Sequence, residues 1–349
     1  MRLHTNFPHH RAGVLRLLGC EGTRDAVGAA LRRWTAHGFE DAAAGLCVSA
    51  MRSFAEWDAH PQGAASALLP PLRVERIGDA PPAPLPPLAP RPLEACACWT
   101  SPASSPGRSA AGLSRRTGRR CCTSAPPTCP PSTPCWRTPA AASAARGSTC
   151  ARRKAGTGCA PSPPGPTCSS RATAPAPSPR GFPPEALAAL RPGIVCVSLS
   201  AYGEVGPWGA RRGFDSLVQT ASGFNVAEAE AAGAPPPKAL PCQALDHASG
   251  YLLAFGALAA LLRRAEEGGS WHARVSLAGT GAWLRGLGRL EDGFAAPAPR
   301  FEDAADLLEE SESGWGRLRA LRHSGGLEKT PPRWASPSVP LGTHEAAWA

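Results

Sequence analysis

The chain has 349 residues, 43% of them apolar, and a formal net charge of +10. That is enough for two domains, or for one large domain with an appendage, and enough apolar material for a core. The charge does not mark a nucleic-acid-binding or membrane-binding fold: residues 95–180 carry twelve basic side chains and no acidic one, so the other 263 residues hold about −2.

The N-terminus, MRLHTNFPHHRAG, has no apolar stretch of the kind a secretory signal needs, and the run from Leu252 to Leu262 is short for a bilayer span. Outside 95–180 only Cys20, Cys47, Cys196 and Cys242 remain, widely spaced, which suits reduced thiols without a disulfide framework. The expectation is a soluble cytoplasmic protein. Residues 1–80 read as a helical region, with amphipathic stretches around Ala26–Thr35 and Glu40–Glu56. A proline-rich linker over 81–94, with PPAPLPPLAPRP at its centre, marks a boundary.

From Ala95 to Arg180 the composition changes abruptly. These 86 residues contain no Asp, Glu, Val, Ile, Phe, Tyr, His, Asn, Gln or Met, a single leucine (Leu113), and nine of the thirteen cysteines. One reading is a zinc site, but Cys96, Cys98, Cys121, Cys122, Cys129 and Cys135 do not repeat a C-x2-4-C pair, and the segment has no histidine. A second reading is a disordered basic arm that touches nucleic acid or a protein partner, since the segment lacks the apolar area to offset its ordering entropy.

The third reading is translation out of frame. If each codon here takes the second and third bases of a true codon, then Cys, Trp and TCN serine codons each supply a middle T, and every codon with a middle T encodes an apolar residue. Under that shift ACACWTSPASSPG (95–107) becomes GVRVLDLTRVIAG, and TCSSRATAPAPSP (167–179) becomes DVLVQGYRPGAIA. Both are strand-like runs followed by a turn. These strings are conceptual translations, not residues of this chain; as written, 95–180 is expected to be disordered.

From residue 181 the text is that of an ordinary α/β protein. Pro183–Leu190 reads as a short helix with proline in its first turn. Ile194–Leu199 reads as a buried strand, followed by a loop, SAYGEVGPW, at its C-terminal end, where open α/β sheets place their sites. Leu245–Arg264 is a long apolar helix opening on Asp246, with Ala248, Ser249 and Gly250 small enough for close approach; Trp271–Ala278 returns as a strand. Asp246 near a helix start has two readings. It caps the helix, or the same donors keep it ionised and fixed, as a nucleophile requires. His247 reads as a packing or surface residue, and Trp34, Trp57 and Trp315 as packing. No phosphate-cradling loop, Ser-His-Asp order or metal cluster is present in the text. Residues 181–291 form the legible core and 292–349 a short C-terminal region.

Arg180–Gly203 (RGFPPEALAALRPGIVCVSLSAYG), Gly206-Pro207-Trp208, Gly213-Phe214-Asp215 with Gln219, and Asp246 ahead of Gly250 together resemble the class III CoA-transferases of the CaiB/BaiF type, which include formyl-CoA, carnitinyl-CoA and bile-acid CoA-transferases. The resemblance covers about 110 residues directly, and the restored strings are similar to the same family's strands. It implies a Rossmann-like large domain plus a small domain, here partial, in an interlocked homodimer. It also implies Asp246 as the nucleophile that forms an aspartyl-CoA intermediate, and Tyr202, Phe214, Asp215 and Gln219 as residues of the substrate and CoA pocket. The substrates would be an acyl-CoA and a free carboxylic acid, with no permanently bound cofactor, no metal, no nucleic acid and no membrane. Residues 1–80 look like the tail of this family's small domain placed before the large one, which suggests a piece of a longer tandem protein or a variant that borrows its N-terminal region for the missing lobe. Because the CoA-phosphate contacts would fall within 95–180, the chain as written is expected to be inactive. The alternatives are a basic Pro/Cys-rich interaction module and a non-functional pseudogene product.

Overall fold

The computed structural model describes residues 1–85, 93, 97–101, 120–124, 145–146, 168–172, 183–332, 334, 337–340 and 343. The chain begins with strand β1 (Arg2–Leu3) and helices α1 (Pro8–Leu18), α2 (Arg24–Leu31) and α3 (Ala36–Ala42). Local chemistry sets these helix ends. Pro8 opens α1 where its missing N–H costs nothing, and Gly19 closes it in a left-handed conformation with φ 61°. Thr23 and Thr35 accept the N–H groups of Ala26 and Gly38 at 3.3 and 3.0 Å. Val14, Leu18, Ala30, Phe39, Ala43 and Val48 form the small core of this lobe.

The helix expected over Glu40–Glu56 is interrupted. Strand β2 (Val48–Ser49) pairs antiparallel with β1, and a new helix, α4 (Phe54–Ala59), starts after it, followed by α5 (Pro61–Ala67). The Glu40 side chain explains the break: its Oε1 accepts the Ala50 N–H at 2.9 Å and the Ser49 hydroxyl at 3.1 Å, which holds 48–50 extended. Ser53 and Glu56 then form a reciprocal capping box that restarts the helix.

The main sheet contains β3 (Arg73–Gly78), β4 (Ala97–Ser101), β5 (Arg120–Ser124), β6 (Ala145–Arg146), β7 (Cys168–Ala172), β8 (Val195–Ser200) and β9 (Ser270–Ser276). Its order is β6-β5-β4-β7-β8-β9-β3, with β4 to β9 parallel and β3 antiparallel on the edge. In chain order the parallel strands run 3-2-1-4-5-6, the Rossmann arrangement, whose switch point falls between β4 and β7. Four short strands of the 95–180 segment thus take part in the sheet; the rest of the expected disorder lies outside the described residues. Arg73–Gly78, read from sequence as the end of the helical region, belongs to the sheet.

Alternation along β8 sorts the helices onto two faces. Val195, Val197 and Leu199 meet Leu253, Ala257 and Leu261 of α9 (Ala244–Glu267), whereas Ile194 and Cys196 meet Leu187 and Ala188 of α6 (Pro184–Leu190). Gly256 lets α9 sit tight on the sheet, since a Cβ there would lie 2.7 Å from a Leu72 methyl and 2.9 Å from the Ala273 Cβ. At 24 residues α9 is long and apolar enough to cross a bilayer, but one face of it is core. Its other face exposes Tyr251, Phe255, Leu258 and Leu262. Between β8 and α9 lie α7 (Asp215–Ala221) and α8 (Phe224–Ala231); α10 (Leu277–Gly286) follows β9, and β10 (Leu308–Ser313) and β11 (Gly316–Leu321) form a separate hairpin.

Two polar contacts join the N-terminal lobe to the loop after β8. Glu40 and Arg52, both buried, form an ion pair; Arg211 approaches the same carboxylate at 3.6 Å, and its guanidinium lies 4.2 Å from the centre of the Trp208 ring. Gln62, fully buried on α5, donates to the carbonyls of Tyr202 and Val205 at 2.8 and 2.9 Å and accepts the Trp208 N–H at 2.6 Å. Burial works against the Glu40 charge, but the hydrogen bonds from Arg52 and Ala50 and the charges of Arg52 and Arg211 outweigh it, so its pKa lies below the ordinary carboxylate value. Its contribution to stability is therefore present above that ordinary value and is lost as pH falls through the depressed one. Arg52→Ala, which strands a buried carboxylate, should lower unfolding stability by about 3–5 kcal/mol. Urea titration checks this, and the gap between wild type and variant should narrow at acid pH.

Candidate active site

Helix α9 begins at Gln243, whose side chain makes no capping bond. The capping carboxylate comes from Asp215, 31 residues upstream: its Oδ2 accepts the Asp246 N–H at 3.0 Å, and the Leu245 N–H bonds to the same carboxyl. Asp246 itself stands in the first turn, three residues past the cap position, and is buried. The capping role that the sequence allowed for Asp246 thus belongs to another side chain. A carboxylate in this turn also gains from the positive end of the helix dipole.

Asp215 is fixed on its other side as well. Gln219, one turn along α7, donates to its Oδ1 at 2.5 Å and to the Cys242 carbonyl at 3.3 Å, and accepts the Leu240 N–H at 3.0 Å. Burial raises the Asp215 pKa, in opposition to the hydrogen bonds from Asp246, Gln219 and Leu245. Asp246, Asp215 and Gln219 are therefore one hydrogen-bonded group. Phe214 precedes it and stacks on His4, with ring centroids 3.7 Å apart and planes 8° from parallel.

Tyr202 sits elsewhere. It is fully buried, with its ring 5.0 Å from Trp208 and 6.3 Å from Trp57 and its hydroxyl bonded to the Ser49 side chain; burial raises its pKa. The structure makes it a packing and anchoring residue for the loop after β8. His247 is exposed.

The sequence did not reveal the cavity beside this group. Its volume is about 320 Å3, and Arg2, His4 and Asn6 of the N-terminal segment line it together with Asp215, Gln219 and Gln243. Nothing in the spacing of MRLHTNF marks those residues; they arrive through the β1–β2 pairing. Burial and the charge of Arg2 lower the His4 pKa against its backbone hydrogen bond, which favours a neutral ring on Phe214.

One other pair invites a catalytic reading. Ser198 Oγ lies 2.6 Å from His272 Nε2, but His272 Nδ1 accepts the Arg274 Nε–H at 2.9 Å. That tautomer puts the remaining proton on Nε2, so the imidazole donates to the hydroxyl and is no base toward it. Burial, helped by Arg274, lowers the His272 pKa to about 3. Among the described residues no group of three or more His, Cys, Asp or Glu side chains is placed to hold a metal.

Residues 173–306, which include α6 to α10, β8, β9 and the whole Asp246 group, match CoA-transferase family III. This part of the chain resembles that family. It is similar to "Probable fatty acyl-CoA transferase Rv3272" of Mycobacterium tuberculosis, at 38% identity over 25% of this chain and 22% of that protein. It is also similar to "Probable CoA-transferase Rv1866" of the same organism, at 33% identity over 36% of this chain and 16% of that protein. The chain therefore matches less than a quarter of the length of either relative. The crystal structure of a single-residue variant of Rv3272 shares the fold, with a TM-score of 0.52 at 16% identity over 74% of this chain and 99% of that one.

Asp215 is the acceptor that closes the start of α9. In a chemical denaturation experiment, Asp215→Ala should destabilise the chain by about 1–3 kcal/mol, because it uncaps α9 and removes one of the two acceptors of the Gln219 amide.

Proposed function

We propose that this protein is a CoA-transferase that moves CoA from an acyl-CoA to a free carboxylic acid, with Asp246 as its nucleophile. The observation that carries this reading is the position of Asp246, buried in the first turn of α9 while the Asp215 carboxylate accepts the N–H groups there. The family III match over 173–306 supports the same chemistry.

The steps follow from carboxylate chemistry. An Asp246 oxygen attacks the thioester carbonyl, the C–S bond breaks, and a mixed anhydride and CoA thiolate result. The thiolate attacks the aspartyl carbonyl, the donor acid leaves as carboxylate, and an aspartyl-CoA thioester remains. The incoming carboxylate attacks that thioester and expels thiolate. The thiolate then attacks the acyl carbon of the second anhydride, giving the new acyl-CoA and restoring Asp246. Each step exchanges partners of similar energy, which is what covalent catalysis provides. Asp246 is buried in the first turn of α9, where the positive end of the helix dipole favours its carboxylate.

The reading includes a frame error. Strands β4 and β7 lie at 97–101 and 168–172, inside the two stretches where the shifted frame restores strand text, 95–107 and 167–179. These are the strands that flank the switch point, where a Rossmann sheet binds its ligand. The chain as written lacks the residues the correct frame would place there, and is inactive on this reading; the in-frame protein is a cytoplasmic homodimer. The nucleotide sequence of codons 95–180 tests this: the alternative frame should be open and should show apolar strand periodicity, and stop codons or the lack of such a pattern would refute it. In the in-frame protein, Asp246→Ala should reduce transfer at least a thousandfold and abolish the covalent CoA adduct seen by intact-protein mass spectrometry. Undiminished transfer in that variant would remove Asp246 from the mechanism.

A further inference from the structure

The outward face of α9 carries a pattern that the transfer chemistry does not use. Tyr251, Phe255, Leu258 and Leu262 are each between 43% and 64% exposed, and their spacing of four, three and four residues lines them up as one apolar stripe along the helix. An outer helix of an open α/β sheet normally turns polar residues to that side. Ala248, Ala259 and Ala265, half-buried beside the stripe, leave room for another helix to come close. The Tyr251 hydroxyl is bonded to Ser324 Oγ at 2.6 Å, so its ring is held at one end of the stripe with its polar atom already satisfied.

The stripe is its own complement. Tyr251 and Leu262 stand at equal distances from the midpoint between Gly256 and Ala257, and so do Phe255 and Leu258. His247 and Glu266, both exposed, extend the same symmetry to the two ends, and neither makes a side-chain hydrogen bond with another described residue. Turned antiparallel about that midpoint, two copies of α9 set Tyr251 against Leu262 and Phe255 against Leu258 twice over, as a two-fold interface requires. The same turn brings His247 to the partner's Glu266 and opposes the two helix dipoles. A parallel pairing would instead set Glu266 on Glu266, which repels. A lipid surface fits poorly as well, because the stripe ends beside Glu266 and Glu267, which an anionic membrane repels.

We propose that this face is an interface between two copies of the chain, with α9 packed antiparallel on the same helix of a second copy around the Gly256–Ala257 midpoint. Burial of the four apolar side chains of each copy drives the contact, and the two His247–Glu266 pairs fix its direction. The stripe by itself covers less than the roughly 800 Å2 per partner of a standard interface, so the expected dissociation constant is on the order of micromolar. Such a contact forms whether or not Asp246 is the nucleophile, because it uses none of Asp246, Asp215 and Gln219.

All of α9 lies outside 95–180, so the full chain as written carries the stripe. Sedimentation equilibrium should show a monomer–dimer equilibrium, and Leu258→Glu should raise its dissociation constant at least about tenfold. Leu258 is exposed, so the circular dichroism of that variant should match the wild type. His247→Glu alone and Glu266→Lys alone should each weaken the dimer about threefold to tenfold, and the two together should return it to within about twofold of the wild type. Positions 247 and 266 lie about 28 Å apart along one helix, so rescue of one by the other arises only across two copies. A chain that is monomeric at every concentration reached, a dimer that Leu258→Glu leaves unchanged, or charge changes that add without rescue overturns the proposal. A monomer that co-floats with phosphatidylcholine vesicles also overturns it, by making the stripe a lipid contact. Undiminished transfer in Asp246→Ala, which would remove the nucleophile, leaves these association constants where they are, so the two readings fail in separate measurements.

Discussion

The buried carboxylate of Asp215 is the constraint on which the site depends. One oxygen ends the chain of amides at the start of α9, and the other is held by Gln219. A helix start inside a protein must have its first N–H groups satisfied, and here no side chain at its own cap position does so. Because α7 supplies the acceptor, the position and the direction of α9 are tied to the loop that leaves β8. Asp246 is placed as a consequence.

That loop is in turn held by the N-terminal lobe. Gln62 satisfies two carbonyls and one N–H of the loop from a fully buried position, and Glu40, Arg52 and Arg211 close a charged contact beside Trp208. Such polar contacts are specific because their partners would be costly to leave unpaired. The lobe is therefore part of the site's support, and through Arg2, His4 and Asn6 it also supplies one wall of the cavity. The fold continues this dependence through Gly256, whose lack of a side chain lets α9 press against both Leu72 and the sheet.

Much of the architecture downstream of residue 181 was legible because its signals are local. Ile194–Leu199 is β-branched and apolar and became β8; PPEALAAL became α6; the apolar periodicity after Leu245 became α9. The N-terminal lobe was less legible. A helix-like pattern runs across Glu40–Glu56, but Glu40 bonds to the backbone at Ala50 and holds an extended turn there, and no periodicity announces such a bond. Arg73–Gly78 alternates weakly and becomes an edge strand only because β9 offers it a partner. Of the candidate residues, Asp246, Asp215 and Gln219 form one hydrogen-bonded group, with Phe214 adjoining it, whereas Tyr202 anchors the loop.

By itself the sequence determined the α/β class, the anomaly of 95–180, the resemblance to class III CoA-transferases and the importance of the start of α9, since all of these rest on composition, short-range pattern and motif. Only the tertiary structure decided which aspartate caps that helix, that the parallel strands run 3-2-1-4-5-6, and that Arg2 reaches the cavity beside Asp215. The reason is physical. Caps, strand partners and cavity walls are pairings between residues that lie tens to hundreds of positions apart, and such pairings are chosen by burial and hydrogen-bond satisfaction across the whole fold, not by neighbours in the chain.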